Sequence, residues 1–286
     1  MFNWLKKQFT PSGGSRAATN PSFRTPPDPA PGSPSGADLR AQLDQYHWYH
    51  IIQVTPEIFT PGDPHLARTH PSVLRQMDKL DLRHKRVLDA GCRDGLFSFE
   101  SERRGASEVL AIDTTLSAGA FEVLIPFFHS RVQMRQWSLF DLEPAQHGLF
   151  DVILFLGLLC DLRYPFTALR RLSELLPDGG RMILQTAIFA DKNQHPLLFC
   201  PTGDDRPAGK ASVSFFNRRG LVETLESFGL RTDSIEWPKK KHIGRSDGSI
   251  VNAAFLCTKD NALAARFPHD YWGGGSLKRF QKPSQE

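Results

Sequence analysis

Residues 86–95 read RVLDAGCRDG. The first four form a short apolar run of the kind buried inside a parallel sheet, and they end at a glycine turn. Residues 95–104 then carry a helical pattern, which Gly105 stops. Strand, glycine turn and helix in this order open a βαβ unit. A parallel sheet requires that alternation to continue downstream.

It does. Residues 108–113 (EVLAID) read as a second strand, residues 117–128 as a mostly apolar helix, and residues 132–137 as a third strand. Residues 150–156 (FDVILFL) form a strand apolar on both faces, which only a sheet covered on both sides accommodates. Residues 165–176 make a helix with Pro165 in its first turn. The turn Pro177-Asp178-Gly179-Gly180 leads into a fifth strand at 181–186 (RMILQT). Residues 218–228 form a helix with Asn217 as N-cap and Gly229 as its stop, and residues 232–236 and 253–258 (AAFLCT) are the last two strands. The expected fold is α/β: a Rossmann-like, mainly parallel seven-stranded sheet with helices on both faces.

The flanks differ in composition. Residues 11–38 hold seven Pro, four Gly and five Ser but only Phe23 as a large apolar side chain, too little burial to offset the ordering of their backbone. This divides the chain into a disordered arm (1–38), a cap or lid segment (39–84), the main α/β domain (85–260) and a C-terminal tail (261–286). Within the arm, Phe2, Trp4, Leu5 and Phe9 with Lys6 and Lys7 describe either a small amphipathic helix or a frayed terminus. The tail combines Tyr271, Trp272, three glycines, Lys278 and Arg279, and leaves open whether it docks on the body.

Bulk properties exclude several classes. The 286 residues carry a formal charge of +4, too mild to argue for nucleic acid by charge alone. The longest apolar run, 152–160, is far short of the ~20 residues that cross a bilayer, and the N-terminus lacks the apolar core of a secretion signal. The four cysteines, Cys92, Cys160, Cys200 and Cys257, form no CxxC pair. A disulfide scaffold or a structural zinc site is therefore not expected, and a reduced, cytoplasmic protein is.

In open α/β sheets ligands bind beyond the carboxyl ends of the strands, so the residues just after each strand carry the function. After the first strand, Gly91 and Gly95 let the backbone approach a ligand where a Cβ would clash, and the helix that follows points its N–H groups at the same place. A dinucleotide fingerprint would read GxGxxG. Here the spacing is GxxxG, with Asp89 two places ahead, a carboxylate that suits an ammonium group better than a pyrophosphate. After the second strand, Asp113 can accept both hydroxyls of a ribose. After the third, Asp141, followed by Leu142, can accept from an exocyclic amine such as that of adenine; Asp-Leu-Glu-Pro is equally a good turn. Asp94 suits the first turn of the helix electrostatically without any function.

The order hhDxGxxxG, Asp, Asp-Leu, FDVIL and PDGG-strand resembles the class I S-adenosylmethionine-dependent methyltransferases over residues 85–258. The resemblance implies that Gly91 and Gly95 line the methionine part of S-adenosyl-L-methionine, with Asp89 near its ammonium. It also implies that Asp113 holds the ribose, Asp141 the adenine amine, and that Leu156 and Gly157 offer backbone to the methionine end. Within that family, GCRDGLFSFESERRGA, FLGLLCDLRYPFTALRRL and the upstream WYHII and TPG (Trp48 to Ile52, Thr60 to Gly62) resemble the group related to the tRNA wobble-uridine carboxymethyltransferase. Two departures stand out. Cys160-Asp161 replaces the Tyr-His whose tyrosine helps hold a carboxylated cofactor, which implies ordinary S-adenosylmethionine here. Arg93 stands where glycine is common, and its side chain is expected to cover the cofactor or touch substrate.

Methyl transfer to a hydroxyl gains from a base. Asp161, in the loop after the fourth strand, and His50, in the WYH segment expected to fold over the cofactor mouth, are the candidate catalytic residues, with Tyr49 and Trp48 as walls of the same pocket. The plainer readings are a helix cap or Arg163 partner for Asp161 and a hydrogen-bonded packing role for His50. Cys160 reads as a small buried apolar residue, and Phe97 and Phe99 as core or pocket wall. The run Lys239-Lys240-Lys241-His242 with Arg245 is either a phosphate-contact patch or a solvated loop. Three functions follow: a methyltransferase for a small molecule or glycan, a tRNA-modifying methyl- or carboxymethyltransferase, and a non-catalytic scaffold on the same fold.

Overall fold

The computed structural model describes residues 36–192, 195–202, 212–239 and 247–267. Most of the N-terminal arm, the basic residues 240–246 and the tail beyond 267 lie outside them, as do the expectations placed there. The chain begins with α1 (Gly36–Leu43), crosses an irregular strap with a short 3-10 turn at Leu66–Arg68, and forms α2 (His70–Met77). Then come β1 (Arg86–Ala90), α3 (Leu96–Arg103) and β2 (Glu108–Ile112). A π turn at Ala120–Leu124 runs into α4 (Ile125–Phe128), followed by β3 (Gln133–Arg135), α5 (Pro144–His147), β4 (Val152–Leu156) and α6 (Pro165–Glu174). The last part holds β5 (Arg181–Phe189), the short pair β6 (Leu198–Phe199) and β7 (Phe215–Phe216), α7 (Arg218–Ser227), β8 (Leu230–Glu236), β9 (Ile250–Lys259) and α8 (Asn261–Ala264).

Seven strands form one sheet in the order β3-β2-β1-β4-β5-β9-β8. The first five are parallel, and β9 runs antiparallel between β5 and β8. Strand order reverses between β1 and β4, and β1 leads outward to β2 while β4 leads to β5. That is the switch point where the carboxyl ends of neighbouring strands leave a crevice. The fold expected from the strand alternation, a Rossmann-like α/β sheet, is the fold observed.

Alternation along each strand divides the core in two. Val87, Val109, Ala111, Val152, Leu154 and Ile183 face a cluster completed by α2, α3 and the strap. Leu88, Leu110, Ile112, Ile153, Phe155 and Leu184 face the opposite cluster, built with α6 and α7. Both faces are buried, which is why β4 is apolar at every position. Leu39, Leu43, Trp48, Ile52, Val54 and Ile58 of the N-terminal segment are themselves buried in the first cluster. The strap is part of the core on that face.

Three elements differ from the sequence-based expectation. The helix expected over 117–128 is broken into the π turn and a single α turn, because Pro126 has no N–H to continue the ladder and its ring crowds the preceding turn. The third strand keeps only three residues, at the sheet edge. The β6–β7 pair carries no periodic signal, since two residues per strand are too few for one. Asn217 caps α7 as expected, its side chain accepting from the Gly220 N–H at 2.6 Å. Among the described residues no helix is long and apolar enough to cross a membrane.

Candidate functional site

A cleft opens at the carboxyl ends of β1, β2 and β4. Gly91, with φ at +89°, makes the turn out of β1 and brings its backbone to the cleft wall. Asp89, Asp113, Leu156, Gly157, Asp161 and His50 line the same space. Six strand-end and strap positions, scattered over more than a hundred residues, thus converge because parallel neighbours end at the same height.

Each carboxylate is held differently. Asp89 is 2% exposed and accepts the Ser98 hydroxyl at 2.6 Å from the adjacent α3. Burial pushes its carboxyl up to about 6, against the Ser98 hydrogen bond and the nearby His50 ring, which both pull it down. Asp113 is half-buried and takes two backbone donors at 3.0 Å each, the Arg93 N–H on Oδ2 and the Thr115 N–H on Oδ1. Two bonds leave lone pairs on both oxygens free for a ligand. Asp161, in the 3-10 turn after β4, is exposed and accepts the Ser212 hydroxyl at 2.6 Å. Its expected alternative partner, Arg163, forms no ion pair with it among the described residues.

Gly95 lies one layer lower. It sits at φ +83° ahead of α3, and a Cβ there would stand 2.2 Å from the Met134 Cε. Its small size serves packing between α3 and β3, and it does not line the cleft. Asp141 and Leu142 do not join the cleft either. The Asp141 carboxylate turns back on the Ser138 N–H at 3.1 Å in a reciprocal cap, and Leu142 is fully buried among the side chains of α6 and β4. The third strand ends too early, and the capped turn at Leu139–Asp141 takes its carboxylate away from the crevice.

The strap covers one side of the cleft, and the TPG turn shapes it. Thr60 donates its hydroxyl to the His50 carbonyl at 2.6 Å and accepts the Ile52 N–H at 2.8 Å. Gly62 lies against the same carbonyl, where a Cβ would come within 2.2 Å of the His50 carbonyl carbon and oxygen. The strap is then clamped to the loop after β1. Asp94 accepts the backbone N–H of Tyr49 and of His50 at 2.8 and 2.9 Å, and also contacts the His50 Nδ1. The Arg93 guanidinium lies over the Tyr49 ring, 5.0 Å from its centroid. Arg93 adopts φ +53°, a left-handed conformation that favours glycine. Its side chain covers the cleft rim.

Asp94 was invisible as a site residue in the sequence, where it reads as a helix-start carboxylate. Nothing in local spacing signals a partner forty-four positions upstream. The only clue is the joint presence of WYH and TPG with the glycine loop. Ser212 is likewise apparent only in three dimensions. Phe97 lines the cleft, whereas Phe99 packs edge-on against Phe128. Cys160 is buried, and burial raises its thiol.

A family model described as a methyltransferase domain matches residues 65–235, which is more than half of the chain. The chain belongs to the methyltransferase-domain family. Curated proteins similar to the chain include the tRNA U34 carboxymethyltransferase of Helicobacter acinonychis (strain Sheeba), 32% identical over 123 residues, covering 42% of this chain and 46% of the relative. The enzyme of the same name from Pseudomonas paraeruginosa (strain DSM 24068 / PA7) is 31% identical over 151 residues, covering 50% and 44%. This methyltransferase-family chain therefore spans less than half the length of those two curated relatives. Among solved structures, Burkholderia thailandensis 1,6-didemethyltoxoflavin-N1-methyltransferase, with bound 1,6-didemethyltoxoflavin and S-adenosylhomocysteine, superposes with a TM-score of 0.53 at 19% identity, over 68% of this chain and 79% of that one. The N-terminal domain of EvdMO1 with S-adenosylhomocysteine bound gives 0.58 at 15% identity, over 78% and 96%. At these identities the structural likeness establishes the class I methyltransferase fold.

Proposed function

We infer that the chain is an S-adenosylmethionine-dependent methyltransferase acting on a small molecule or glycan. The observation that carries this reading is that Asp89 and Asp113 line one crevice at the strand-order switch, beside the positive-φ turn at Gly91. The residues fit the cofactor. A buried carboxyl whose ionisation is disfavoured gains from an ammonium brought next to it, and Asp89 is in that position. Asp113, oriented by two backbone donors, keeps lone pairs for the two hydroxyls of a ribose. Leu156 and Gly157 supply wall and backbone at the end of β4.

When bound, S-adenosylmethionine supplies a methyl group already activated on a sulfonium. The protein's work is then alignment and exclusion of water, and alignment alone can contribute ~7–11 kcal/mol. Leu158, Phe97 and Tyr49 wall the cleft with apolar surface. Asp161, held by the Ser212 hydroxyl, lines the same cleft and is the second candidate to meet the acceptor. Three of the four free cysteines are buried, which agrees with a reducing, cytoplasmic setting.

The charge of the cleft favours a small acceptor over tRNA. Among the described residues its lining carries Asp89, Asp113 and Asp161 against Arg93 as the one Lys or Arg, and binding a nucleic-acid backbone needs several cations in register. The alternative acceptor is a tRNA, since the curated relatives are tRNA U34 carboxymethyltransferases. Methyl-labelled S-adenosylmethionine incubated with cell extract and the chain separates the two. Label in a small-molecule fraction that survives ribonuclease is the expected result, and label lost on ribonuclease treatment would establish the tRNA reading instead.

A further inference from the structure

The strap and the glycine loop meet at one buried carboxylate. Asp94 is 1% exposed. Its Oδ2 accepts the N–H groups of Tyr49 and His50, and its Oδ1 contacts the His50 Nδ1. Burial acts to raise the carboxyl, but the bonds from the His50 ring and from the two backbone donors outweigh it and hold it below the usual carboxylate range. An ionised carboxylate only accepts, so Nδ1 is the donor in this contact. That leaves Nε2 of His50 as the atom that can take up a proton.

Nε2 has no hydrogen-bond partner among the described residues. It is also not sealed off, since the buried side-chain nitrogens and oxygens without partners there are Arg181 Nε and Ser249 Oγ. His50 lines the cleft together with Asp113, Gly157 and Asp161. The groups that face its ring are compatible with a working base. His70, 5.4 Å away by ring centroid, is kept neutral by burial, its imidazole pushed down to about 3. The Tyr49 ring is 4.8 Å away, and burial raises its hydroxyl against the pull of Arg93. Asp89 feels the His50 ring across the cleft floor. The Arg93 guanidinium lies over the Tyr49 ring, 5.0 Å from its centroid.

We propose that His50 and Asp94 form a proton-accepting dyad, with Asp94 as positioning residue, and that the methyl acceptor is a hydroxyl compound. This rests on the cofactor reading above. An amine attacks with its own lone pair and sheds its proton afterwards, so it gives a base little to do. A hydroxyl becomes a good nucleophile only as its proton leaves, and a positioned base then contributes roughly 10²–10⁴-fold. In the transfer the acceptor O–H bond breaks, an O–CH3 bond forms, and the sulfonium C–S bond breaks with its electron pair left on sulfur. The proton passes to Nε2 of His50 and from there to water. The carboxylate of Asp94 fixes the ring's orientation and tautomer and stabilises the imidazolium that forms.

The test uses the full chain, methyl-13C S-adenosylmethionine and a small-molecule cell extract, with carbon shifts distinguishing O-methyl from N- and S-methyl products. An O-methyl product is expected, formed about 10²–10⁴-fold more slowly by His50→Gln and by Asp94→Asn. His50→Gln leaves both backbone bonds to Asp94 in place, so it reports on the base even if Asp94→Asn loosens the strap. Independently, 15N spectra of labelled histidine should place the proton of the neutral His50 ring on Nδ1 and leave Nε2 bare, with that tautomer lost in Asp94→Asn. Absence of an O-methyl product, a His50→Gln variant at the wild-type rate, or an Nε2-protonated His50 would each overturn the proposal. Calorimetry with S-adenosylhomocysteine separates the causes. A wild-type chain that fails to bind it indicts the cofactor reading, and one that binds it while the dyad fails its tests indicts the dyad alone.

Discussion

The two ends of the same parallel strands handle charge in opposite ways. At the starting ends, Arg86 meets Glu108 at 2.7 Å and Lys85 approaches Asp151 at 3.5 Å, all four side chains being a third or more exposed. At the finishing ends, Asp89 meets a serine hydroxyl and Asp113 two backbone N–H groups, with neither paired to Lys or Arg among the described residues. Side-chain ion pairs in solvent cancel each other's field and stabilise little. Carboxylates held by neutral donors keep their negative potential, and the cleft they line presents it to whatever enters. One end of the sheet is closed electrostatically, and the other awaits a cationic ligand.

The largest effect that would sharpen this contrast concerns Asp89. Its native carboxyl keeps its proton to about pH 6, whereas the unfolded chain releases it near the ordinary carboxylate value. Between those values the native state binds more protons, so the stability contributed by the neutral form is present below the lower value and is lost as pH rises through the upper one, on the order of 3 kcal/mol in all. Denaturant titrations of the ligand-free chain from pH 4 to pH 7 should show that decline, and Asp89→Asn should remove it. The affinity for S-adenosylhomocysteine should run the other way and strengthen as pH rises through 6, since the ionised carboxylate is the form that meets an ammonium. Parallel pH profiles for wild type and Asp89→Asn would mean that this carboxyl is as solvated as those at the opposite end.

A smaller loss is expected at Asp113. Asp113→Ala should weaken S-adenosylhomocysteine by about 10–100-fold in calorimetry, the magnitude of one or two charge-assisted hydrogen bonds. Equal affinities in both proteins would dissolve the ribose assignment and with it much of the difference between the two ends. The smallest effect belongs to the closed end. Glu108→Gln should lower stability by no more than about 1 kcal/mol in a denaturant titration and leave ligand affinity unchanged. A shift in affinity there would show that the closed end communicates with the cleft.

Much of the site was legible because strand ends are legible. Asp89, Gly91, Asp113, Leu156 and Gly157 follow apolar runs whose ends mark the crevice, and the structure gathers all five around it. Asp141 obeyed the same logic and is placed elsewhere, because a serine three residues earlier offers its carboxylate a local partner. Gly95 carries a close approach of a different kind, to the Met134 side chain rather than to the cleft. Leu142 follows Asp141 in the chain and is a core residue. For Asp141 a short-range partner competed with the site, while Gly95 and Leu142 were claimed by packing against distant residues, and the local sequence signals neither outcome.

From its sequence alone this protein has its alternation of strands and helices, the glycine turn after β1 and the acidic residues at strand tips, since periodicity and turn chemistry act over a few neighbouring residues. The meeting of His50 with Asp94, of Ser212 with Asp161 and of Arg93 with Tyr49 belongs to the tertiary structure. Those pairs are separated by tens of residues. Packing of the strap on the sheet face, driven by burial of side chains such as Trp48 and Ile52, brings the first and third together, and the Val213 and Ser214 N–H bonds to the Cys160 carbonyl bring Ser212 to Asp161.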